Sequence, residues 1–298
     1  MERVYAGFGL PSPQPDDPVR EDDLAVLSGL PILFRSGLGE GEVLRAARVW
    51  GEGVRRVAQH QVHSFHELIE EPFRRQGLSD AEALDAALSQ VGVHLIPYVH
   101  RLVGWLYARH FESHAIEHRM GHVERALEEA GLQRKSDPCF EACAFADLSG
   151  YTGMTEALGD EAASRTALRL AELMQDVAGR HRGLVVKMLG DGVHFHFPDP
   201  SCAVLGSLEF VERTEPQGLP PAHVGVNAGP MTYTDGDYYG LTVILAARIA
   251  EEAGPGQVLV GEAVTAEASL DGVRFEEVGP VPLKGIERPV TVFRALRS

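Results

Sequence analysis

From Glu21 onward, apolar residues in the first half of the chain recur at helical spacing. They predict helices over residues 22–34, 40–71 with Pro72 as the stop, 79–103, and a further segment to residue 130. Ser79-Asp80-Ala81-Glu82 has the form of a capping box. Ahead of these helices, Gly7 and Gly9 are followed by four prolines between Pro11 and Pro18, which predicts an extended arm over residues 1–20. Residues 131–138 contain Gly131 and Pro138 and break the last helix. Beyond them the apolar period changes. Residues 142–148 form a short apolar run ending in the carboxylate of Asp147, and residues 185–189 turn through Gly190-Asp191-Gly192 into residues 193–197 as a hairpin. The pattern therefore predicts an all-α domain (21–130), a linker (131–138) and an α+β domain (139–298).

Composition adds bounds. At 298 residues and 44% hydrophobic, the chain is long enough for two ordinary cores. Its 43 acidic and 27 basic residues give a net charge of −16, which opposes non-specific binding to nucleic acid or to an anionic membrane surface. The longest apolar stretches, residues 26–34 and 102–108, are too short to span a bilayer, and no basic segment followed by an apolar core opens the chain. A soluble cytoplasmic protein is the expectation. Cys139, Cys143 and Cys202 give no paired framework and read as reduced thiols.

Chemistry concentrates in the second half. Asp147 is followed by Ser149, Gly150 and Thr152 at a helix start, where backbone N–H groups and the helix dipole suit a phosphate. Asp191 falls at a hairpin tip. Alone, each aspartate also reads as a turn residue or a helix cap. If the two strands are neighbours in one sheet, Asp147 and Asp191 converge as a hard, all-oxygen pair suited to Mg²⁺ or Mn²⁺.

Five motifs stand in one order: Phe145-Ala-Asp147-Leu-Ser-Gly150-Tyr-Thr, Lys187-Met-Leu-Gly190-Asp191, Asp237-Tyr-Tyr-Gly240, Arg248, and Leu283-Lys284-Gly285. In residue type and spacing, residues 139–296 resemble the catalytic domain of the class III nucleotidyl cyclases, a ferredoxin-like βαββαβ fold. The resemblance implies that Asp147, Asp191 and the backbone of Leu148 hold two Mg²⁺ or Mn²⁺ ions. It implies that Ser149, Gly150, Tyr151 and Thr152 line the substrate loop, Lys187 and Asp237 read the base, Arg248 contacts the phosphoryl group in flight, and Lys284 binds the triphosphate tail. It also implies a homodimer with two equivalent composite active sites, each taking its metal carboxylates from one subunit and its base-reading and phosphate-binding residues from the other, and converting ATP to cyclic AMP and pyrophosphate. The base preference has its own chemical argument. Lysine donates and aspartate accepts, matching adenine's N1 acceptor and N6 donor, whereas guanine presents the opposite polarity. The plainer alternative is a surface lysine and a turn aspartate in Gly236-Asp237-Tyr238.

One position departs from the family. Four residues before Arg248, where the family carries an asparagine that orients the ribose, this chain has Ile244. Losing one such donor typically costs about 10²–10³ in turnover. A slow or conditionally active cyclase follows, with Thr242 or an ordered water as a stand-in donor; a nucleotide-binding regulatory protein without turnover is the alternative.

Nine of the thirteen histidines lie between His60 and His122, and His110, His114, His118 and His122 recur every four residues along one drifting helix stripe. They read either as interfacial residues with no shared role or as a pH-responsive surface, since imidazole titrates near about pH 6.5. This half resembles, less specifically, the helical regulatory domain ahead of the cyclase domain in some actinobacterial adenylate cyclases, some of which respond to pH. Residues 109–130 and the following linker are the matching pieces. No motif identifies an apolar ligand between the helices.

Overall fold

A computed structural model describes residues 2–11, 14, 16–18, 21–132, 140–268 and 270–298. The chain folds as two compact units, Met1–Lys135 and Ser136–Ser298. The expected linker lies mostly outside the described residues, as does Cys139.

The first unit is helical: α1 (Glu2–Gly7), α2 (Glu21–Gly29), α3 (Pro31–Arg35), α4 (Glu40–Phe65), α5 (Glu71–Arg75), α6 (Asp80–Val91) and α7 (Leu95–Glu129). Part of the expected N-terminal arm is thus a helix. The reason lies on α4, where Val43, Ala47 and Gly51 recur every four residues as a buried stripe. A Cβ added to Gly7 would stand 3.0 Å from the Ala47 Cβ, and one on Gly51 would strike the Phe8 backbone at 2.4 Å. Small residues open a groove that receives α1, with Val4 buried in it.

Prolines set the remaining helix boundaries. Pro31 starts α3, so the predicted 22–34 helix divides in two. Pro72 does not end its helix. Residues His66–Glu70 widen into a π turn, which relieves the clash of the proline ring with the carbonyl four residues back, and the helix continues to Arg75. Pro97 falls in the first turn of α7, where its missing N–H is not needed. The break therefore comes before Leu95, and α7 runs unbroken through Val103, where a boundary was expected. The predicted capping box forms: the Ser79 N–H and hydroxyl both donate to Glu82 Oε2, at 2.9 and 2.6 Å.

The second unit contains, in order, β1 (Ala142–Leu148), α8 (Tyr151–Leu158), α9 (Asp160–Arg180), β2 (Leu184–Leu189), β3 (Gly192–Phe197), α10 (Pro200–Thr214), β4 (Ala222–Ala228), β5 (Thr232–Thr234), β6 (Asp237–Tyr239), α11 (Leu241–Glu252), β7 (Val258–Gly261), α12 (Glu262–Glu267), β8 (Val273–Val281) and β9 (Val290–Arg297). The main sheet has the order β2-β3-β1-β4-β7-β9-β8, and β5 pairs with β6 in a separate hairpin. The run β2-β3-β1-β4, antiparallel throughout, is the ferredoxin-like arrangement predicted. Asp191 lies in the turn between β2 and β3, and of these two strands it is β3 that pairs with β1, the strand of Asp147.

Strand alternation separates core from chemistry. Ala142, Ala144, Ala146 and Leu148 of β1 join Val193, Phe195 and Phe197 of β3 in the main core, with Leu170, Leu173 and Val204 from α9 and α10. Phe145 and Asp147 alternate onto the opposite face. There α11 lies on the sheet, with Ile249 packed against Leu259 and Val292. Gly225 admits this helix: a Cβ there would stand 2.1 Å from the Ala250 nitrogen and 2.5 Å from the Ala246 oxygen. Among the described residues, no helix is long and apolar enough to cross a membrane.

Candidate active site

One cross-strand row carries the centre of the site. Lys187 pairs with His194, His194 with Phe145, and Phe145 with Gly225, from β2 through β3 and β1 to β4. A register shift between Val185 and Lys187 in β2 sets the lysine into this row. Lys187 Nζ donates to Asp237 Oδ2 at the start of β6, so the two proposed base readers are brought together by tertiary structure. Asp237 Oδ1 also accepts the Tyr238 N–H at 2.9 Å. The hairpin carrying Asp237 is held to the sheet by Tyr238, whose ring stacks on His196 at 4.3 Å and 7°.

The carboxylate pair forms because β3, which begins one residue after Asp191, is the direct neighbour of β1. The β2–β3 turn is two residues long, Leu189 pairing with Gly192, and Gly190 adopts φ +74° in it. This places Asp191 at the end of the sheet where β1 delivers Asp147. A Cβ at position 192 would stand 3.0 Å from Asp147 Oδ1, so the carboxylate lies against the turn backbone. Burial, and next the neighbouring Asp191 charge, push the Asp147 carboxyl above the usual range, with His223 opposing them. His223 pairs with Asp147 across β4, its Nε2 4.0 Å from Asp147 Oδ2 and its Nδ1 3.1 Å from Ser149 Oγ. Among the described residues no group of three or more His, Cys, Asp or Glu side chains forms a metal cluster. Two adjacent carboxylates with like-charge strain nonetheless fit a hard divalent cation, which completes its shell with carbonyls, water and substrate oxygens.

Gly150, at φ +81°, leads into α8. The Tyr151 hydroxyl, expected to face substrate, donates instead to the Ala163 oxygen at 3.1 Å and ties α8 to α9. The side chain of Thr152 lies outside the described residues.

On α11, Ile244 and Arg248 lie one turn apart, and the Ile244 side chain is half exposed. Arg248 Nη1 pairs with Glu251, while its Nε is buried with no hydrogen-bond partner among the described residues. Thr242 cannot take the place of the missing asparagine. It is buried, its hydroxyl donates to the Pro230 oxygen at 2.9 Å, and its own carbonyl accepts from Asn227 Nδ2 at 3.4 Å. Lys284 is exposed in the β8–β9 turn, beside Gly285 at φ +82°. No hydrogen bond or ion pair joins Arg248 or Lys284 to Asp147, Asp191, Lys187 or Asp237. Within one chain, Asp147 thus lies close to Asp191 and Lys187 meets Asp237, while neither Arg248 nor Lys284 pairs with any of the four.

His194, His196 and His223 also stand in this region, and none of them belongs to the five motifs. The first two carried a signal, because Val193-His-Phe-His-Phe197 alternates histidine with core residues and so puts both rings on the Lys187 face. His223 carried none, since only strand pairing sets it beside Asp147.

No family model matches the chain. It is 29% identical over 271 residues to the "pH-sensitive adenylate cyclase MT1302" of Mycobacterium tuberculosis, covering 88% of this chain and 65% of that one. It is 28% identical over 249 residues to an adenylate cyclase of Streptomyces coelicolor, covering 83% of this chain and 62% of that one. The chain thus spans less than two thirds of the length of each of these relatives. Among solved structures, the adenylyl cyclase CyaB from P. aeruginosa is similar at a TM-score of 0.49 and 21% identity, over 54% of this chain and 95% of that one. These sequence relatives are named adenylate cyclases, and the motif set of the C-terminal unit resembles that of the class III nucleotidyl cyclases.

Proposed function

We propose that the protein is an adenylate cyclase acting as a homodimer, with Mg²⁺ or Mn²⁺ held by Asp147, Asp191 and the Leu148 carbonyl. The observation that carries this reading is the meeting of Lys187 and Asp237, a donor and an acceptor of adenine's polarity, in a unit that also sets Asp147 and Asp191 close to each other. Bound there, two divalent cations would supply charge neutralisation and Lewis acidity for in-line attack of the ribose 3′-hydroxyl on the α-phosphorus. Lys187 donates to adenine N1 and Asp237 accepts from the N6 amino group, so the ion pair between them opens when the base enters. Arg248 gives up Glu251 and places its guanidinium on the phosphoryl group, and Lys284 holds the triphosphate tail. One subunit supplies the metal carboxylates and its partner supplies the base-reading and phosphate-binding residues, so the dimer has two equivalent sites and Lys187 and Asp191 of one hairpin serve different ones. Trp105, Tyr107, Phe111 and Met120 are exposed on α7, which is in keeping with pairing of the helical units as well.

The helical unit is the regulatory part. His110, His114, His118 and His122 are exposed along α7, and His118 meets His122 with Nε2 atoms 3.1 Å apart. The crowding of imidazoles on this helix surface supports the reading of α7 as a pH-responsive element. Ile244 with a committed Thr242 supports a second reading, an ATP-binding regulator without turnover.

The test is cyclic AMP formation from ATP by the full chain with Mg²⁺ and with Mn²⁺ between about pH 5.5 and 8, using Asp147→Ala as the blank. Activity that vanishes in the blank supports the cyclase. ATP binding with no activity above the blank supports the regulator. Replacing the four α7 histidines with asparagine should remove any pH response.

A further inference from the structure

His194 is fully buried, and neither ring nitrogen has a hydrogen-bond partner among the described residues. Buried polar atoms in folded proteins are nearly always paired, so an orphaned imidazole calls for a state in which it is satisfied. The ring is not free to seek one. It stacks on Phe145 with centroids 4.3 Å apart and planes within 9°, and Tyr238 meets it edge-on at 6.4 Å. Its Nδ1 stands 3.7 Å from Asp237 Oδ1, just beyond hydrogen-bond range. The carboxylate is held away by Lys187 on Oδ2 and by the Tyr238 N–H on Oδ1.

We propose that His194 is a positioning residue for base selection, donating from Nδ1 to Asp237 once Lys187 has left that carboxylate for the purine. The inference rests on the adenine-reading roles of Lys187 and Asp237. When adenine enters, Lys187 moves to N1 and Asp237 loses its charged partner in a partly buried site. A small shift of the carboxylate brings Oδ1 onto the Nδ1–H. That bond satisfies the orphaned donor and leaves Oδ2 as the acceptor for the N6 amino group. Guanine presents no donor there, so the rearranged carboxylate would face a carbonyl oxygen. His194 thereby rewards the adenine-bound arrangement alone. Burial pushes its imidazole down to about 4 against the opposing pull of Asp237, so the ring is neutral and carries one N–H. That proton belongs on Nδ1, the nitrogen nearer the carboxylate.

The experiment measures equilibrium dissociation constants of the full chain for 3′-deoxy-ATP and 3′-deoxy-GTP with Mg²⁺; neither nucleotide can cyclise. His194→Phe keeps an aromatic ring against Phe145 and removes both nitrogens. It should weaken 3′-deoxy-ATP about 10-fold, the worth of one hydrogen bond to a charged group, and leave 3′-deoxy-GTP unchanged. His194→Asn places an amide donor near the Nδ1 position and should retain the wild-type preference. His194→Gln places it near Nε2 and should not. A wild-type preference for adenine that survives in His194→Phe, or equal selectivity in the Asn and Gln variants, overturns the role of His194 while leaving Lys187 and Asp237 as base readers. If His194→Phe does not fold, the Asn and Gln pair decides alone. A wild-type chain that binds both nucleotides equally, or neither, overturns the base-reading assignment and this inference with it.

Discussion

Lys187 and Asp237, 50 residues apart in sequence, form an ion pair between β2 and β6 whose side chains remain 39% and 20% exposed. An ion pair this open contributes about 1 kcal/mol or less to stability. The role proposed for it is recognition, and the two effects separate on mutation. Asp237→Ala should leave thermal unfolding nearly unchanged while lowering the ATP-to-GTP ratio of kcat/KM by about 10–100-fold. A large loss of stability with selectivity intact would make the pair structural.

Asp147 carries a carboxyl raised by burial and by Asp191. Because the folded state holds its proton more tightly than the unfolded state, stability falls as pH rises through the raised pKa. At neutral pH the charged pair opposes folding until a cation binds. Asp147→Asn should therefore melt at or above the wild-type temperature in metal-free buffer. Millimolar Mg²⁺ or Mn²⁺ should raise the wild-type melting temperature and leave the variant's unchanged. The same substitution should abolish cyclic AMP formation.

Ile244 is half exposed on α11, and Thr242 is engaged with Pro230. Ile244→Asn restores a donor at a surface position, where substitutions usually shift stability by about 0.5 kcal/mol or less. Turnover should rise by about 10²–10³ if the ribose contact is what the chain lacks. Steady-state assays with Mn²⁺ would show this, and an unchanged rate would assign the slow step elsewhere.

Gly225 has the α11 backbone where its side chain would be, with the Ala250 nitrogen 2.1 Å from an added Cβ. Backbone cannot swing aside as a long side chain can. Gly225→Ala should destabilise the C-terminal unit by about 1–3 kcal/mol or more in denaturant unfolding. Activity should fall with it, because the displaced helix carries Arg248.

His194 is pushed from 6.5 down to about 4 by burial. Between those values the unfolded chain binds the proton and the folded chain does not, so stability rises with pH across that window and is lost as pH falls from about 6.5 toward 4. Lys187 and His196 act in the same direction, and Asp237 opposes them. The full window is worth about 3 kcal/mol. Urea unfolding at pH 7 and pH 5 should show a steeper loss for wild type than for His194→Phe.

Much of this protein was legible in residue order, because the signals were local. The change from helical spacing to strand alternation near residue 140 separated the two units, and Gly190-Asp191 between two apolar runs fixed the hairpin that carries Asp191. Glycine, proline and aspartate act within a few residues, so caps, turns and motif spacings could be read directly. What acts across the chain could not. The groove for α1 depends on Ala47 and Gly51 of another helix, and Pro72 was tolerated because the preceding turn widened. Strand order made β3 the neighbour of β1, and only pairing set His223 beside Asp147 and His194 near the Lys187–Asp237 pair. Residue order determined which chemical groups the site owns; tertiary packing decided which are paired and which are left waiting, because hydrogen bonding and desolvation depend on neighbours that strand register alone supplies.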